Sequence, residues 1–162
     1  MPGRLLSTYL NDHLAGAVVG VELARRAAGA NRGNAYGATL AQLAEEIEQD
    51  RESLRALMRE LGVGVDPAKV ALALGAEKVG RAKLNGRLFG YSPLSRVVEL
   101  EALSLGVEGK LLLWQALSRL EVTEGPLASF HFETLIKRAR SQRRRLDRCR
   151  RKAAVEALEG DV

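Results

Sequence analysis

Apolar side chains recur every three or four residues along most of the chain, which is the spacing of one face of an α-helix. Clusters of Gly, Asn and Pro interrupt this period and divide it into five segments. No stretch of useful length alternates apolar and polar residues, so the sequence predicts no strand of note. The predicted helices span residues 5–28, 36–61, 67–88, 93–120 and 126–158.

Two of these helices have a clear start signal. Asp66-Pro67 and Ser92-Pro93 each place a capping side chain directly before a proline at the first helical position. Short loops make successive helices antiparallel neighbours. We therefore predict an all-α fold with a single domain over residues 1–162: an antiparallel up-down four-helix bundle of the first four helices, with a fifth long C-terminal helix packed along it.

Glycines interrupt the first predicted helix at Gly16 and Gly20 and the fourth at Gly106 and Gly109. A glycine inside a helix costs about 1 kcal/mol relative to alanine. Close approach of a neighbouring helix would offset this cost, so we predict helix–helix contacts at these positions.

Each of the first four helices interrupts its apolar face near its midpoint with ionisable residues. On helical wheels, His13 falls near the centre of the first apolar face, and Glu101 and Glu108 stack on one face of the fourth helix. Glu77 and Arg81 are four residues apart, the spacing at which an acid and a base meet. The predicted polar layer comprises His13, Asp50, Arg51, Glu77, Arg81, Glu101 and Glu108.

The same wheels place other polar residues away from this layer. Asn11 and Arg26 fall on the side of the first helix that we expect to face water. Glu99 and Lys110 fall on the side of the fourth helix opposite Glu101. These four residues are therefore predicted to take no part in the polar core.

A charge removed from water costs several kcal/mol unless it is paired or binds a metal. Three interpretations of the layer follow. The first is a closed ion-pair network of four acids, two arginines and a histidine. The second is a metal site, because carboxylates and imidazole on facing helices can hold di-iron or di-manganese centres. The third is partial solvent exposure of the supposed inner face. We favour the network, because arginine beside a metal would repel it.

Long antiparallel helices with carboxylates at mid-core resemble the ferritin-like four-helix-bundle superfamily, particularly its uncharacterised bacterial members, over residues 5–120. Active di-iron members carry a Glu on two helices and Glu-x-x-His on the other two. Here residues 46–49 and 101–104 begin with Glu but lack the histidine, and His13 stands where a Glu is expected. Glu77 and Glu101 match carboxylate positions. The resemblance implies a bundle without the di-iron ligand set.

We therefore expect a non-enzymatic protein, with no catalytic residue and no cofactor, whose role is binding or assembly. No Gly-rich phosphate loop, zinc spacing or nucleophile motif is present. The alternative is a protein that binds iron or manganese in the bundle core. Its ligands would be His13, Asp50, Glu77, Glu101 and Glu108.

The net charge of +5 is unevenly distributed. Residues 137–152 hold ten Lys or Arg and a single acid, Asp147, on a helix whose other face is apolar. We expect this basic face to contact an acidic protein or a second copy of the chain as a homodimer; nucleic acid and plain solvated surface are the alternatives. The assigned residues are Arg138, Arg140, Arg144, Arg145, Arg148, Arg151 and Lys152.

The longest apolar run is far shorter than the ~20 residues that cross a bilayer, and no signal peptide is evident. Cys149 is the only cysteine, so it forms no internal disulfide. We therefore expect a cytoplasmic location and no membrane partner.

Overall fold

The computed structural model describes residues 3–84, 91–120, 125, 127–128 and 130–159, except for the side chains of residues 79–84. The all-α class is confirmed over these residues, which contain no strand. The helices are α1 (Arg4–Ala30), α2 (Gly37–Glu60), α3 (Pro67–Leu84), α4 (Pro93–Ser118) and α5 (Phe132–Leu158). Among the described residues, no helix has the length and hydropathy of a membrane span.

Side-chain capping explains where α3 and α4 begin. Asp66 Oδ1 accepts a hydrogen bond from the backbone amide of Ala68 at 3.0 Å. Ser92 Oγ accepts one from the amide of Ser95 at 3.0 Å, and Ser95 Oγ accepts one from the amide of Ser92, which closes a capping box before Pro93. Both predicted start signals are confirmed.

The predicted start of the fifth helix at residue 126 is wrong. Residues 127–128 form a turn, and α5 begins at Phe132. Phe130 and Phe132 instead pack on the core, with ring centroids 5.7 Å apart, so this segment is held by apolar burial before the helix starts. The predicted end of the third helix at residue 88 lies outside the described residues.

Four helices enclose the core. The contacting pairs are α1 with α2, α2 with α5, α5 with α4, and α4 with α1. Helix α3 contacts α1 alone among the described helices, and none of its described side chains is buried. The prediction that the first four helices form the bundle is therefore wrong, because α5 has a continuous buried seam and α3 does not.

Two apolar clusters stack along the bundle. One contains residues 21–27 of α1, 40–47 of α2, 97–107 of α4 and 146–153 of α5. The other contains residues 10–14, 54–58, 113–117 and 132–135 of the same helices. This order of residues means that α1 and α5 run in one direction and α2 and α4 in the other. Adjacent helices of the ring are thus antiparallel.

The predicted close contacts at four helical glycines are wrong. A Cβ atom added at any of them would meet no atom within 4 Å. The close approach occurs at Gly37, where an added Cβ would lie 2.6 Å from the backbone oxygen of Asn31. The four glycines in open space are Gly16, Gly20, Gly106 and Gly109.

Candidate functional site

Asp50 is the centre of a buried ionic cluster that lies between the two apolar clusters. Its side chain is 1% exposed. Oδ2 accepts hydrogen bonds from Lys110 Nζ at 2.5 Å and from Gln142 Nε2 at 2.9 Å, and Oδ1 accepts one from Arg138 Nε at 2.6 Å. One carboxylate of α2 is thus neutralised by cations from both α4 and α5, which confirms a buried ion pair in the core.

Gln142 links the members of this cluster. It is fully buried, and its Oε1 accepts a hydrogen bond from Lys110 Nζ at 2.6 Å. Its Nε2 also donates to Glu46 Oε2 at 3.2 Å, and Glu46 forms an ion pair with Arg145. Because α2 and α4 lie diagonally across the ring, the pair of Lys110 and Asp50 spans the bundle interior.

The electrostatics of the cluster follow from burial and pairing. Burial lowers the pKa of the Lys110 ammonium, and the carboxylate of Asp50 opposes that shift. Burial raises the pKa of the Glu46 carboxyl, but hydrogen bonds from Arg145 and Gln142 outweigh burial and hold this pKa below its usual value. The charged form of Glu46 is therefore the favoured form in the folded protein.

A second ionic cluster ties α3 and α4 to α1. Arg26 donates from NH1 to Glu77 Oε1 and from Nε to Glu99 Oε1, both at 2.8 Å. The side chains of Arg26, Glu77 and Glu99 are 29%, 16% and 13% exposed. The expectation that Arg26 faces water is therefore wrong. Asn11 is also buried, and its Nδ2 donates a hydrogen bond to the backbone oxygen of Gly64 in the loop before α3.

The buried ionic cluster, called the Asp50 cluster below, consists of Glu46, Asp50, Lys110, Arg138, Gln142 and Arg145. Of the predicted polar layer, Asp50 is the only member among the described side chains. Arg51 pairs with Glu48 and Glu52 of its own helix. Glu77 pairs with Arg26 of α1, on the outside of the ring. The side chain of Arg81 lies outside the described residues.

Two predictions on α4 are wrong. Glu101 is exposed, and Glu108 pairs with Arg143 at 2.8 Å with both side chains at least 40% exposed. Lys110, assigned to the reverse side, points into the core instead. The reason is that α4 is apolar nearly all round, so that its wheel fits several orientations; Leu105, on the face of Glu101, is 75% exposed.

The residues that the sequence interpretation missed lie mainly on α5. Gln142 continues the buried seam of Leu135, Ala139 and Leu146 at helical spacing, and that spacing was a usable signal. Arg138, like Arg145, was assigned to the partner-binding face. Both arginines point inward, to Asp50 and Glu46 respectively.

A groove with a volume of about 1190 Å³ runs between α1 and α4. Glycines and alanines of the two helices line it together with larger apolar and charged side chains, and α3 contributes Ala73 and Glu77 to one side. The side chains of Asp50, Lys110 and Trp114 reach it from within the bundle. Its glycines are Gly16, Gly20, Gly106 and Gly109. The groove exists because these positions carry no side chain that could fill it.

Charged side chains also line the groove, namely those of Asp12, Arg26, Asp50, Arg51, Glu77, Glu99 and Lys110. Trp114 is fully buried, and its indole Nε1 has no hydrogen-bond partner among the described residues. His13 lines the same end of the groove and packs edge-on against Tyr9, with ring centroids 4.6 Å apart. Burial lowers the pKa of His13 despite the nearby charge of Asp12, which favours the neutral imidazole. The site therefore combines apolar and charged side chains.

Metal ligands do not gather at this site. Within the described ranges, no group of three His, Cys, Asp or Glu side chains converges in the way that a metal ion requires. The acid at the centre of the bundle, Asp50, already faces Lys110 and Arg138.

The remaining residues of the predicted basic face divide into two kinds. Arg151 pairs with Asp147 at 2.8 Å, and Lys152 lies 3.9 Å from Glu156. Those that are exposed and form no ion pair with a described residue are Arg140, Arg144 and Arg148.

Comparison of the chain with protein-family models, with curated proteins and with solved structures finds no match.

Proposed function

We propose that this chain is a non-enzymatic binding protein with a ferritin-like bundle, and that the groove between α1 and α4 receives an apolar small molecule. The observation that carries the proposal is the groove itself, which opens between two helices at facing glycines and reaches Trp114. The Asp50 cluster then serves the structure of the bundle and is not a reaction centre.

The course of the chain supports the ferritin-like part of the proposal. Ferritin-like folds are four-helix bundles with one long crossover connection. Here α2 and α4 run in the same direction, and the segment that contains α3 connects them. In this arrangement Asp50 lies near the middle of the bundle, where di-iron members of the superfamily have a metal-binding carboxylate. Here the positive charge that faces this carboxylate is the ammonium of Lys110.

The size and lining of the groove support the binding part. Ligand sites are mostly apolar concavities of roughly 300–1,000 Å³ with a few polar groups. This groove, at about 1190 Å³, is somewhat larger, and its lining is mostly apolar with charged side chains among the apolar ones. Each interior glycine costs about 1 kcal/mol of helix stability relative to alanine. The four glycines that line the groove make no close contact that would offset this cost. A ligand bound in the groove would offset it.

Trp114 lies against the groove, but it is fully buried and its indole Nε1 is not accessible to a molecule in the groove. The chemistry of the ligand is therefore set by the other side chains of the lining. Because apolar side chains make up most of that lining, we expect a ligand that is largely apolar.

The test uses N-phenyl-1-naphthylamine, a neutral apolar dye whose fluorescence rises on burial, and the emission of Trp114, the only tryptophan. We expect saturable binding of one dye per chain with a concurrent change in Trp114 emission. Gly106→Leu, which fills the groove, should weaken binding at least about 10-fold, a loss of ~1.4 kcal/mol.

Gly29→Leu is the matched control, because Gly29 is exposed and lies outside the groove with open space around it. This variant should bind the dye like the wild type. Circular dichroism establishes that both variants are folded. Non-saturable binding by the wild type, or equal binding by Gly106→Leu, contradicts the proposal.

A further inference from the structure

The outer face of α5 carries a row of five cations, named the basic stripe here: Lys137, Arg140, Arg144, Arg148 and Arg151. Their spacing of three or four residues places them on one side of the helix, opposite the buried seam. From the first to the last, the stripe is about 21 Å long at 1.5 Å per residue.

The cations of the stripe are available to a partner. Lys137 and Arg151 have side chains that are 78% and 74% exposed, with single acidic neighbours on α5 itself. Arg140, Arg144 and Arg148 are exposed and have no ion pair with a described residue. The two basic residues that point inward, to Asp50 and Glu46, are not part of the stripe.

The composition of this surface indicates the class of partner. Every exposed residue of α5 between positions 137 and 151 is Lys or Arg. A protein partner usually needs a buried apolar or aromatic anchor at the centre of its interface, and the exposed residues of α5 in this range include none. Phosphate groups need only cations, and a guanidinium binds them with two parallel hydrogen bonds.

The stripe carries no aromatic side chain, and this distinguishes between single-stranded and double-stranded nucleic acid as its partner. Proteins that hold single strands stack the bases on aromatic rings, and the stripe offers no ring. We infer that the basic stripe binds the phosphate backbone of double-stranded nucleic acid without reading its sequence.

The experiment is a fluorescence anisotropy titration of a labelled DNA duplex of mixed sequence at several salt concentrations. Five neutralised phosphates give a slope of log K against log salt of about −4.5. In the triple variant Arg140→Gln, Arg144→Gln, Arg148→Gln, the slope should be shallower by about 3. This variant should also lose most of its affinity for the duplex at about 50 mM salt. These arginines form no ion pair with a described residue, so the variant should keep its circular dichroism spectrum.

The control is a second triple variant, Arg55→Gln, Arg59→Gln, Arg119→Gln. It removes the same charge from exposed positions at the ends of α2 and α4. We expect its affinity and salt slope to stay close to those of the wild type. Equal loss in the two triple variants would mean that net charge alone is responsible, and would overturn the assignment.

Two further outcomes also overturn it. One is the absence of any complex with the duplex at about 50 mM salt, where backbone binding is strong. The other is displacement of the duplex by polyglutamate at equal charge concentration, which would make the stripe a contact for acidic proteins. Displacement by unlabelled duplex of unrelated sequence, and by polyglutamate only in large excess, supports the inference.

Discussion

The two sides of the bundle differ in the length of the side chains that line them. Between α2 and α5, Arg138 and Gln142 reach inward and meet Asp50, so that the interior is closed and its charges are paired. Between α1 and α4, Gly16 and Gly106 face open space. The difference shows that one bundle holds a paired, buried carboxylate between α2 and α5 and an open groove between α1 and α4, and that side-chain length decides which occurs.

Removal of the central carboxylate tests the closed side, and we expect the largest effect there. Asp50→Asn leaves the cations of Lys110 and Arg138, 14% and 26% exposed, beside a neutral group, and the loss of one partner of a buried ion pair costs about 3–5 kcal/mol. The free energy of unfolding from urea denaturation, followed by circular dichroism, should fall by this amount.

Asp12→Asn is the control for this prediction. Asp12 forms an ion pair with Lys69, but its side chain is 58% exposed, and exposed pairs contribute about 0–1 kcal/mol. Equal losses of unfolding free energy in the Asp12 and Asp50 variants would show that water reaches the Asp50 cluster and that the side is not closed.

The cation from α4 can be removed separately. In Lys110→Met, the carboxylate of Asp50 keeps its bonds from Arg138 and Gln142, so we expect a smaller loss of about 1–3 kcal/mol. A double-mutant cycle with Asp50→Asn measures the coupling, which should be about 0.5–3 kcal/mol. Additive losses would contradict a direct pair across the bundle.

The helices and their capped starts followed from the sequence, because period and capping are local properties. Asp50 was also predictable, since it interrupts a clear apolar stripe on α2. Lys110 was not, because the many leucines of α4 leave its orientation undefined until the helix packs. The choice of α5 over α3 for the ring depends on contacts between distant segments: the apolar seam of α5 indicates that this helix is buried, but not which helices it contacts.

Alanine substitutions can compare the glycines that line the groove with Gly37, where the backbone of Asn31 makes a close contact. Gly20→Ala and Gly106→Ala should each raise the free energy of unfolding by about 0.5–1 kcal/mol, because an added Cβ meets open space and alanine favours the helix. Gly37→Ala should lower it, since its Cβ would lie 2.6 Å from the backbone oxygen of Asn31. Destabilisation at all three positions would restore the prediction of helix contacts at Gly20 and Gly106.

The smallest expected effect is the pH dependence contributed by His13 at the end of the groove. Burial lowers its pKa below the ordinary value of 6.5, and the opposing charge of Asp12 does not cancel the shift. Between the folded pKa and 6.5, the unfolded chain therefore binds more protons than the folded one. The contribution of His13 to stability is constant above pH 6.5, falls as the pH drops through this window, and levels off below the folded pKa.

Urea denaturation at a series of pH values isolates this contribution by difference. The unfolding free energy of His13→Gln should lose less on acidification than that of the wild type. His131→Gln removes the other histidine of the chain, which is exposed, and keeps the half-buried imidazole of His13, so it should retain the dependence on His13. If His13→Gln and the wild type respond to pH in parallel, water reaches the imidazole freely, and the groove is wetter at this end than its apolar lining implies.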